Sequence, residues 1–168
     1  MNTISKEIKE NAVYRIDENT HKVSKCFSGL KDADIWKKPN EASNSMGNLV
    51  VHLCGNITQY IIASLGEQPD TRNRDLEFSI SEGYSKEELL KMLTETTQKA
   101  KEIIHAASDT QLSQIRNVQG YELSGVGIIL HAVEHYSYHT GQIAYWAKLG
   151  NNKDLGFYEG LDLNKKND

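Results

Sequence analysis

The sequence predicts an all-α protein, a four-helix bundle. Two observations predict this fold class: apolar residues recur every three or four positions in four long segments, and no segment shows the alternation of a β-strand. Four such helices in 168 residues can enclose one hydrophobic core, and no linker rich in Pro, Gly or Ser divides the chain. We therefore expect a single domain over residues 1–168.

The first two predicted helices are marked by periodicity and by their end signals. Apolar positions from Ile4 to Leu30 recur at helical spacing and predict a long amphipathic first helix. After a loop, Asn44-Ser45 can cap a second helix. This helix runs to Leu65, and Gly66 is a typical residue at its C-terminal end.

The second half of the chain predicts two more helices after a long connection. Residues 66–84 show no helical period, and a connection of about nineteen residues is long for a compact domain, so it is either functional or a crossover. Ser85-Lys-Glu-Glu88 matches a capping box and begins a third helix that runs to about Ala107. The fourth helix extends from Ser124 to Leu149. The crossover favours an up-down-down-up bundle, in which helices 2 and 4 are antiparallel.

Charge and hydropathy exclude several classes of function. The formal net charge of −4, from 19 basic and 23 acidic residues, gives no indication of nucleic-acid binding, and the basic segment Arg72-Asn-Arg74 is interpreted as a solvated loop. No run approaches the roughly 18 apolar residues of a membrane span, and the N-terminus lacks the pattern of a secretion signal. We expect a soluble cytoplasmic protein in which Cys26 and Cys54 are buried, reduced thiols.

The strongest candidate for chemistry is a set of histidines on helices 2 and 4. His131, His135 and His139 stand four residues apart, so His135 and His139 can aim their imidazoles at one point. A catalytic metal needs a third ligand, and His52 in the second helix is available. Three neutral imidazoles with an open position predict a reactive metal site. The alternative is ordinary core histidines with satisfied hydrogen bonds.

Helix geometry is compatible with one shared site. At 1.5 Å per residue, the up-down-down-up order puts His52 about 9 Å and His139 about 13 Å from the same end of the bundle. An up-down-up-down order would leave His139 about 22 Å from that end. The fourth helix lacks the glutamate that follows the first histidine in metalloproteases, so that class is excluded.

Several further side chains are expected near this site. Gln142 follows the last histidine by three residues and could orient a ligand or a bound water, or form an interhelical hydrogen bond. Asn56 lies one turn beyond the histidine of helix 2 and could line the same cavity. His131 is a candidate pocket residue, or a hydrogen-bond donor that supports a metal ligand without binding the metal itself. Gly141 is expected to allow close helix packing, and Tyr138 is expected in the core.

The histidine pattern resembles the DinB/YfiT-like superfamily of metal-dependent four-helix proteins. The resemblance covers nearly the whole chain, and its most specific residues are Asn48-Leu-Val-Val-His52-Leu and His131-xxx-His135-xxx-His139-Thr-Gly141-Gln142-Ile143. Four other segments resemble a subgroup with no assigned function: Trp36-Lys-Lys-Pro39, Asn44-Ser45, His52-Leu-Cys-Gly-Asn56 and Arg72-Asn-Arg74-Asp-Leu-Glu-Phe78.

The resemblance implies a ligand set and a range of activities. It makes His52, His135 and His139 the metal ligands, leaves His131 unassigned, and implies up-down-down-up topology and frequent homodimers. Members include transferases that use bacillithiol or mycothiol and a mycothiol-dependent isomerase, while others are known only as products of DNA-damage-induced genes. Relatives often carry Arg where this chain has Thr140, so a grip on an anionic substrate by that Arg is not expected here.

The sequence therefore predicts a divalent-metal-dependent enzyme, first of all a transferase that joins a low-molecular-weight thiol to small electrophiles. The alternatives are a metal-dependent hydrolase and a stress-response protein that binds a metal or small ligand without turnover. Three imidazoles suit Zn²⁺, Ni²⁺, Fe²⁺ or Mn²⁺. The expected partners are a small-molecule substrate, a possible thiol cosubstrate and a second copy of the chain, with no nucleic acid and no membrane.

Overall fold

The computed structural model describes residues 3–167, so residues 1, 2 and 168 of the expected domain lie outside the described part. Within it the fold is mostly helical. Four long helices form a bundle: α1 (Thr3–Ser28), α3 (Met46–Ile57, extended by a π-helical segment, Thr58–Leu65), α5 (Lys86–Ala106) and α7 (Gly125–Asn151). Short helices stand in the connections: α2 (Asp32–Ile35), α4 (Arg74–Ser79) and α6 (Asp109–Ser113).

The helices begin where the local sequence predicts. Ser45 caps α3 and Ser85 caps α5, and each forms a full capping box with the residue three positions later. Ser124 accepts a hydrogen bond from the backbone amide of Gly127 at the start of α7. These caps satisfy backbone amides that a helix start leaves without partners. The predicted beginnings of the second, third and fourth long helices are confirmed.

The second long helix runs to Leu65 as predicted, but its last two turns are wider than an α-helix. The amide of Gly66 donates to the carbonyl of Ile61 at 2.8 Å, and that of Gln68 donates to Ala63 at 2.9 Å. Each of these bonds spans five residues, which defines a π-helix. Tyr60, inside this segment, is fully buried against α7.

The hydrophobic core lies between the four long helices. α1 packs against α5 and α7, and α3 packs against the same two helices from the other side. The largest side chains that are fully buried include Phe27, Leu53, Tyr60, Leu93 and Tyr136. Both cysteines are buried free thiols, as predicted. No helix in residues 3–167 is both long enough and apolar enough to cross a membrane.

The prediction that the chain has no strands is wrong. β1 (Ile115–Val118) pairs antiparallel with β2 (Tyr121–Ser124), and the turn residues Gln119 and Gly120 both have positive φ angles, 51° and 83°. This is the geometry of a tight hairpin turn with a glycine at its second position. Val118 is the one buried residue of the two strands, so the alternation that marks a half-buried strand is too weak to detect.

Candidate metal centre

Three histidine side chains meet between α3 and α7. The ring centroid of His52 lies 5.0 Å from that of His135 and 5.0 Å from that of His139, and the two α7 rings are 4.5 Å apart. One nitrogen from each ring lies within 4.8 Å of the other two. The Nε2 atoms of His52 and His135 are 2.8 Å apart. The cluster could hold a metal ion.

Burial keeps the histidines of α7 neutral. His52 and His139 are 4% and 8% exposed, whereas His135 is half-buried and opens the cluster toward solvent. Burial, together with the neighbouring His139 and His52, lowers the pKa of His135 to about 3. Burial also lowers the pKa of His139. A neutral imidazole is the form that binds a metal, so these rings are ready to bind one at neutral pH.

Glu77 of α4 fixes the orientation of His52. The Nδ1–H of His52 donates to Oε2 of Glu77 at 2.8 Å, and both side chains are buried. A carboxylate only accepts hydrogen bonds, so the proton of this imidazole stands on Nδ1. The lone pair of Nε2 therefore faces the other two histidines. A carboxylate behind a histidine ligand is a common arrangement in metal sites, where it fixes the tautomer and the ring.

Arg72 holds Glu77 in its charged form. Its Nε and Nη2 donate to the two carboxylate oxygens of Glu77 at 2.6 and 2.8 Å, and its Nη1 donates to Gln59 at 2.8 Å. Burial raises the pKa of Glu77, but the hydrogen bonds from Arg72 and His52 outweigh it and lower the pKa overall. Arg72 is thus buried beside the site, which corrects its interpretation as part of a solvated loop.

Gln142 has the same relation to His139 that Glu77 has to His52. The Nδ1–H of His139 donates to Oε1 of Gln142 at 2.7 Å. The amide oxygen is an acceptor, so this tautomer also leaves Nε2 free. The structure thus places Gln142 against the last histidine, where the sequence predicted either an orienting contact or an interhelical hydrogen bond. The contact is within α7.

His131 lies beside the cluster, and Asn56 lies about one helical turn after His52 on α3. The His131 ring stacks on Tyr60 at 4.0 Å and lies 5.5 Å from the His135 ring. Burial lowers the pKa of His131. Its Nε2 and the Oδ1 of Asn56 are both buried without a hydrogen-bond partner in residues 3–167. His131 therefore borders the cluster, and the pocket roles of His131 and Asn56 stay predictions.

Several neighbours of the cluster were missed or misplaced by the sequence analysis. Phe78 lies over His52 with 4.7 Å between ring centroids, and no role was predicted for it. Tyr138 is 62% exposed, so its predicted place in the core is wrong. A Cβ at Gly141 would have no atom within 4 Å, so this glycine does not mediate close helix packing. Both residues are exposed on α7.

The donor set suits a divalent transition metal. Three imidazole nitrogens without a thiolate or carboxylate resemble open catalytic sites more than closed structural ones. Of the carboxylates in residues 3–167, Glu77 is the one that hydrogen-bonds to the cluster, and its two oxygens are occupied by Arg72 and His52. Nitrogen donors of this kind bind Zn²⁺, Ni²⁺, Fe²⁺ or Mn²⁺.

Solved structures with the same fold come from bacteria. A conserved protein from Enterococcus faecalis superimposes with a TM-score of 0.73 at 15% identity, covering 91% of this chain and 99% of that one. A DinB-like protein from Bacillus subtilis gives 0.63 at 19% identity, covering 84% and 92%. A DinB-like protein from Bacillus cereus gives 0.63 at 15% identity, covering 84% and 91%. At these identities the likeness shows the fold.

The sequence places the chain in one family. No curated protein matches it. Residues 3–159 match the family described as "Protein of unknown function (DUF1572)", which agrees with the predicted subgroup with no assigned function. The chain therefore belongs to the DUF1572 family and has a DinB-like fold.

Proposed function

We propose that this protein is a divalent-metal-dependent transferase that joins a low-molecular-weight thiol, of the bacillithiol type, to small electrophiles. The observation that carries the proposal is the set of three imidazoles that each place one ring nitrogen within 4.8 Å of the other two. His52, His135 and His139 are the residues that would hold the metal. Glu77 and Gln142 support this assignment, because each binds the far nitrogen of one of these rings.

The surroundings of the cluster favour a thiol over a water as nucleophile. When bound, a divalent ion supplies Lewis acidity, which lowers the pKa of a thiol or a water that contacts it. A thiol starts from a pKa of about 8.5 and a water from about 15.7, so the thiol needs far less assistance. Glu77, the carboxylate at the cluster, is fully engaged by Arg72 and His52 and is not free to take a proton. A metal-dependent hydrolase is therefore the second choice.

In the proposed reaction, a sulfur–carbon bond replaces the bond from carbon to a leaving group. The thiol sulfur supplies the electron pair of the new bond, the leaving group departs with the pair of the broken bond, and the thiol proton passes to solvent. The ring of His135 is the least buried of the three. Glu77 and Arg72 hold the ring of His52 still during this step.

The proposal is tested by metal analysis and turnover on the same samples. Protein purified without chelator should contain one divalent metal per chain. The His52→Ala, His135→Ala and His139→Ala variants should each lose it, and His131→Ala should keep it. Loss of metal in the His131 variant with retention in the His52 variant would contradict the assignment.

Turnover then separates the three functional classes. A transferase should consume a thiol and a model electrophile such as 1-chloro-2,4-dinitrobenzene faster than free metal does, and metal-free protein should not. Product release without thiol, from an ester substrate, would indicate the hydrolase. Stoichiometric metal with ligand-induced thermal stabilisation and no turnover in either assay would favour a stress-response binding protein.

We also propose the up-down-down-up order for the bundle. Contacts between α3 and α7 support it: His52 lies against His139, whereas Tyr60, eight residues later, lies against His131, eight residues earlier. Two helices whose contacts run in opposite directions are antiparallel. An up-down-up-down bundle would require them to be parallel.

Contacts of the other helix pairs support the same order. They run in opposite directions between α1 and α5 and in the same direction between α3 and α5. Between the first and third long helices, Lys9 contacts Ala107 and Asp17 contacts Lys101. Between the second and third long helices, Cys54 contacts Thr96 and Gly66 contacts Ile103.

Finally, we propose that the protein is a homodimer that pairs through α1 and α7. An apolar groove between these helices supports this proposal; its lining includes Ile8, Ile129 and Leu130, and Leu130 is 60% exposed. Burial of such a surface against a second copy removes apolar area from water. Sedimentation equilibrium at micromolar concentration tests it. A mass near the 18.9 kDa of one chain would reject the dimer.

A further inference from the structure

A groove of about 640 Å³ continues the histidine face of α7 beyond the metal centre. Positions seven residues apart on a helix face the same side. Gln142 follows His135 by seven residues and Trp146 follows His139 by seven, and both line the groove. Tyr145 lies between them on the same wall. The groove is therefore the direct extension of the stripe that carries the histidines.

The opposite wall also leads to the metal centre. It is formed by the loop of residues 39–44 and by Met46 and Leu49 in the first turn of α3. Leu49 precedes His52 by three residues, which is less than one helical turn. α3 and α7, the two helices that carry the histidines, thus also contribute to the walls of the groove, so the groove lies next to the cluster.

Two side chains connect the groove with the cluster directly. Gln142 lines the groove and holds Nδ1 of His139 at 2.7 Å. Tyr138 lines the groove and its ring lies edge-on to the His139 ring, with 4.9 Å between centroids. A molecule lying in the groove would therefore contact residues that touch a candidate metal ligand.

The chemistry of the lining identifies the class of molecule. Three aromatic rings, those of Tyr138, Tyr145 and Trp146, form one wall, and amide and hydroxyl groups supply the polar contacts. None of the described residues that line the groove is Asp, Glu, Lys, Arg or His. An ionised group in this groove would have no opposite charge beside it, whereas an aromatic or alkyl group would bury apolar area against the rings.

We propose that this groove binds the uncharged aromatic or alkyl part of the electrophilic substrate. The proposal rests on the proposed function, because the reacting carbon of that substrate would lie at the histidines. The volume of the groove is within the usual range for binding sites of small ligands. From His139 to Trp146 the helix rises by about 10 Å, so the substrate is an elongated molecule that spans roughly this length.

A methionine reporter can test the proposal in solution. Met46 lines this groove, whereas Met92 lines a different one beside Arg72. The probes are three molecules that share one ring and differ in charge: 4-nitrobenzyl alcohol, 4-nitrobenzoate and 4-nitrobenzylammonium. In protein labelled with ¹³C at the methionine methyl groups, the alcohol should shift the Met46 signal and leave the Met92 signal in place. The two charged probes should bind more weakly.

Glycines on α7 offer a blocking variant and a matched control. A side chain at Gly141 would point into open space within the groove, and one at Gly150 would also be unobstructed but lies outside the groove. Gly141→Leu should therefore weaken binding of the alcohol by about tenfold or more without loss of folding, because a helical glycine gains stability on substitution. Gly150→Leu should bind like the unaltered protein.

The outcomes separate this proposal from the proposed function. Equal binding by the two glycine variants, no Met46 shift, or equal affinity for all three probes would overturn the groove assignment, even if thiol transfer were observed. A Met46 shift that depends on protein concentration would assign the face to a second copy and would also overturn it. Binding of the alcohol blocked by Gly141→Leu, without turnover in any assay, would retain the groove and reject the transferase.

Discussion

Replacing Glu77 with Gln should weaken both the fold and the metal centre. Glu77 forms a buried network of hydrogen bonds with His52 and Arg72. The three side chains are nearly inaccessible to solvent: His52 is 5%, Arg72 2% and Glu77 6% exposed. Glu77→Gln leaves the guanidinium of Arg72 buried without its counter-charge. Breaking a buried ion pair in this way typically costs about 3 kcal/mol of unfolding free energy.

The same substitution replaces the carboxylate partner of the His52 Nδ1–H with a neutral amide, whose one oxygen is a weaker acceptor. Loss of such a partner typically lowers metal affinity by about 10- to 100-fold. This corresponds to roughly 1.4–2.7 kcal/mol of binding free energy. The two effects can be separated with the double variant Arg72→Met/Glu77→Gln, which also removes the uncompensated charge. It should recover most of the stability of the metal-free protein and keep the weakened metal affinity.

Urea denaturation of metal-free protein measures the first effect, and competition with a chromophoric zinc chelator measures the second. Glu67→Gln is the control, because Glu67 pairs with Arg116 at 3.3 Å but is 62% exposed. It should change stability by no more than about 0.5 kcal/mol and leave metal affinity unaltered. If Glu77→Gln behaves like this control in both assays, the reasoning about the buried network is refuted.

Three further predictions concern single positions. Gly55→Ala should reduce metal affinity in the same direction as Glu77→Gln, because its Cβ would overlap the carboxylate of Glu77; an unaffected affinity in chelator competition would contradict this. In metal-free protein, burial and the neighbouring histidines lower the pKa of His135 from 6.5 to about 3. Between these two pH values the unfolded chain binds a proton more readily than the folded protein does. The unfolding free energy should therefore fall as the pH drops from 6.5 toward 3. Urea titrations at pH 7 and pH 5 measure this fall, and His135→Gln should reduce it. Tyr136→Phe should cost about 1 kcal/mol by thermal or urea denaturation, because it removes the 2.9 Å hydrogen bond to Thr20; unchanged stability would show that the bond contributes nothing.

The predictable part of the fold depends on signals within a few residues. Ser45 and Ser85 cap helices through contacts three positions away, so the sequence revealed both helix starts. The hairpin at Gln119-Gly120 escaped detection because its strands are four residues long and mostly exposed, which leaves little alternation. The π-helical segment Thr58–Leu65 also escaped detection, since it differs from an α-helix in backbone hydrogen bonds that span five residues instead of four.

The residues of the candidate site could also be predicted from the sequence only where a short spacing links them. His135 and His139 were identified from a spacing of four, which puts both on one helix face. Glu77 was not identified, although it belongs to the segment that resembles the subgroup with no assigned function. It lies 25 residues after His52, beyond a stretch without periodicity, and no rule of spacing links the two.

The sequence by itself determined the helices, their capping residues and the histidines available to a metal, because each depends on local geometry. Tertiary structure alone decided which polar groups meet in the interior. It folded α4 back onto α3, so that Arg72 and Glu77 are buried behind His52, and it aligned the loop of residues 39–44 with α7 to form the aromatic groove. The physical reason is that a buried charge is stable only beside its partner, and the position of that partner depends on the packing of the whole chain.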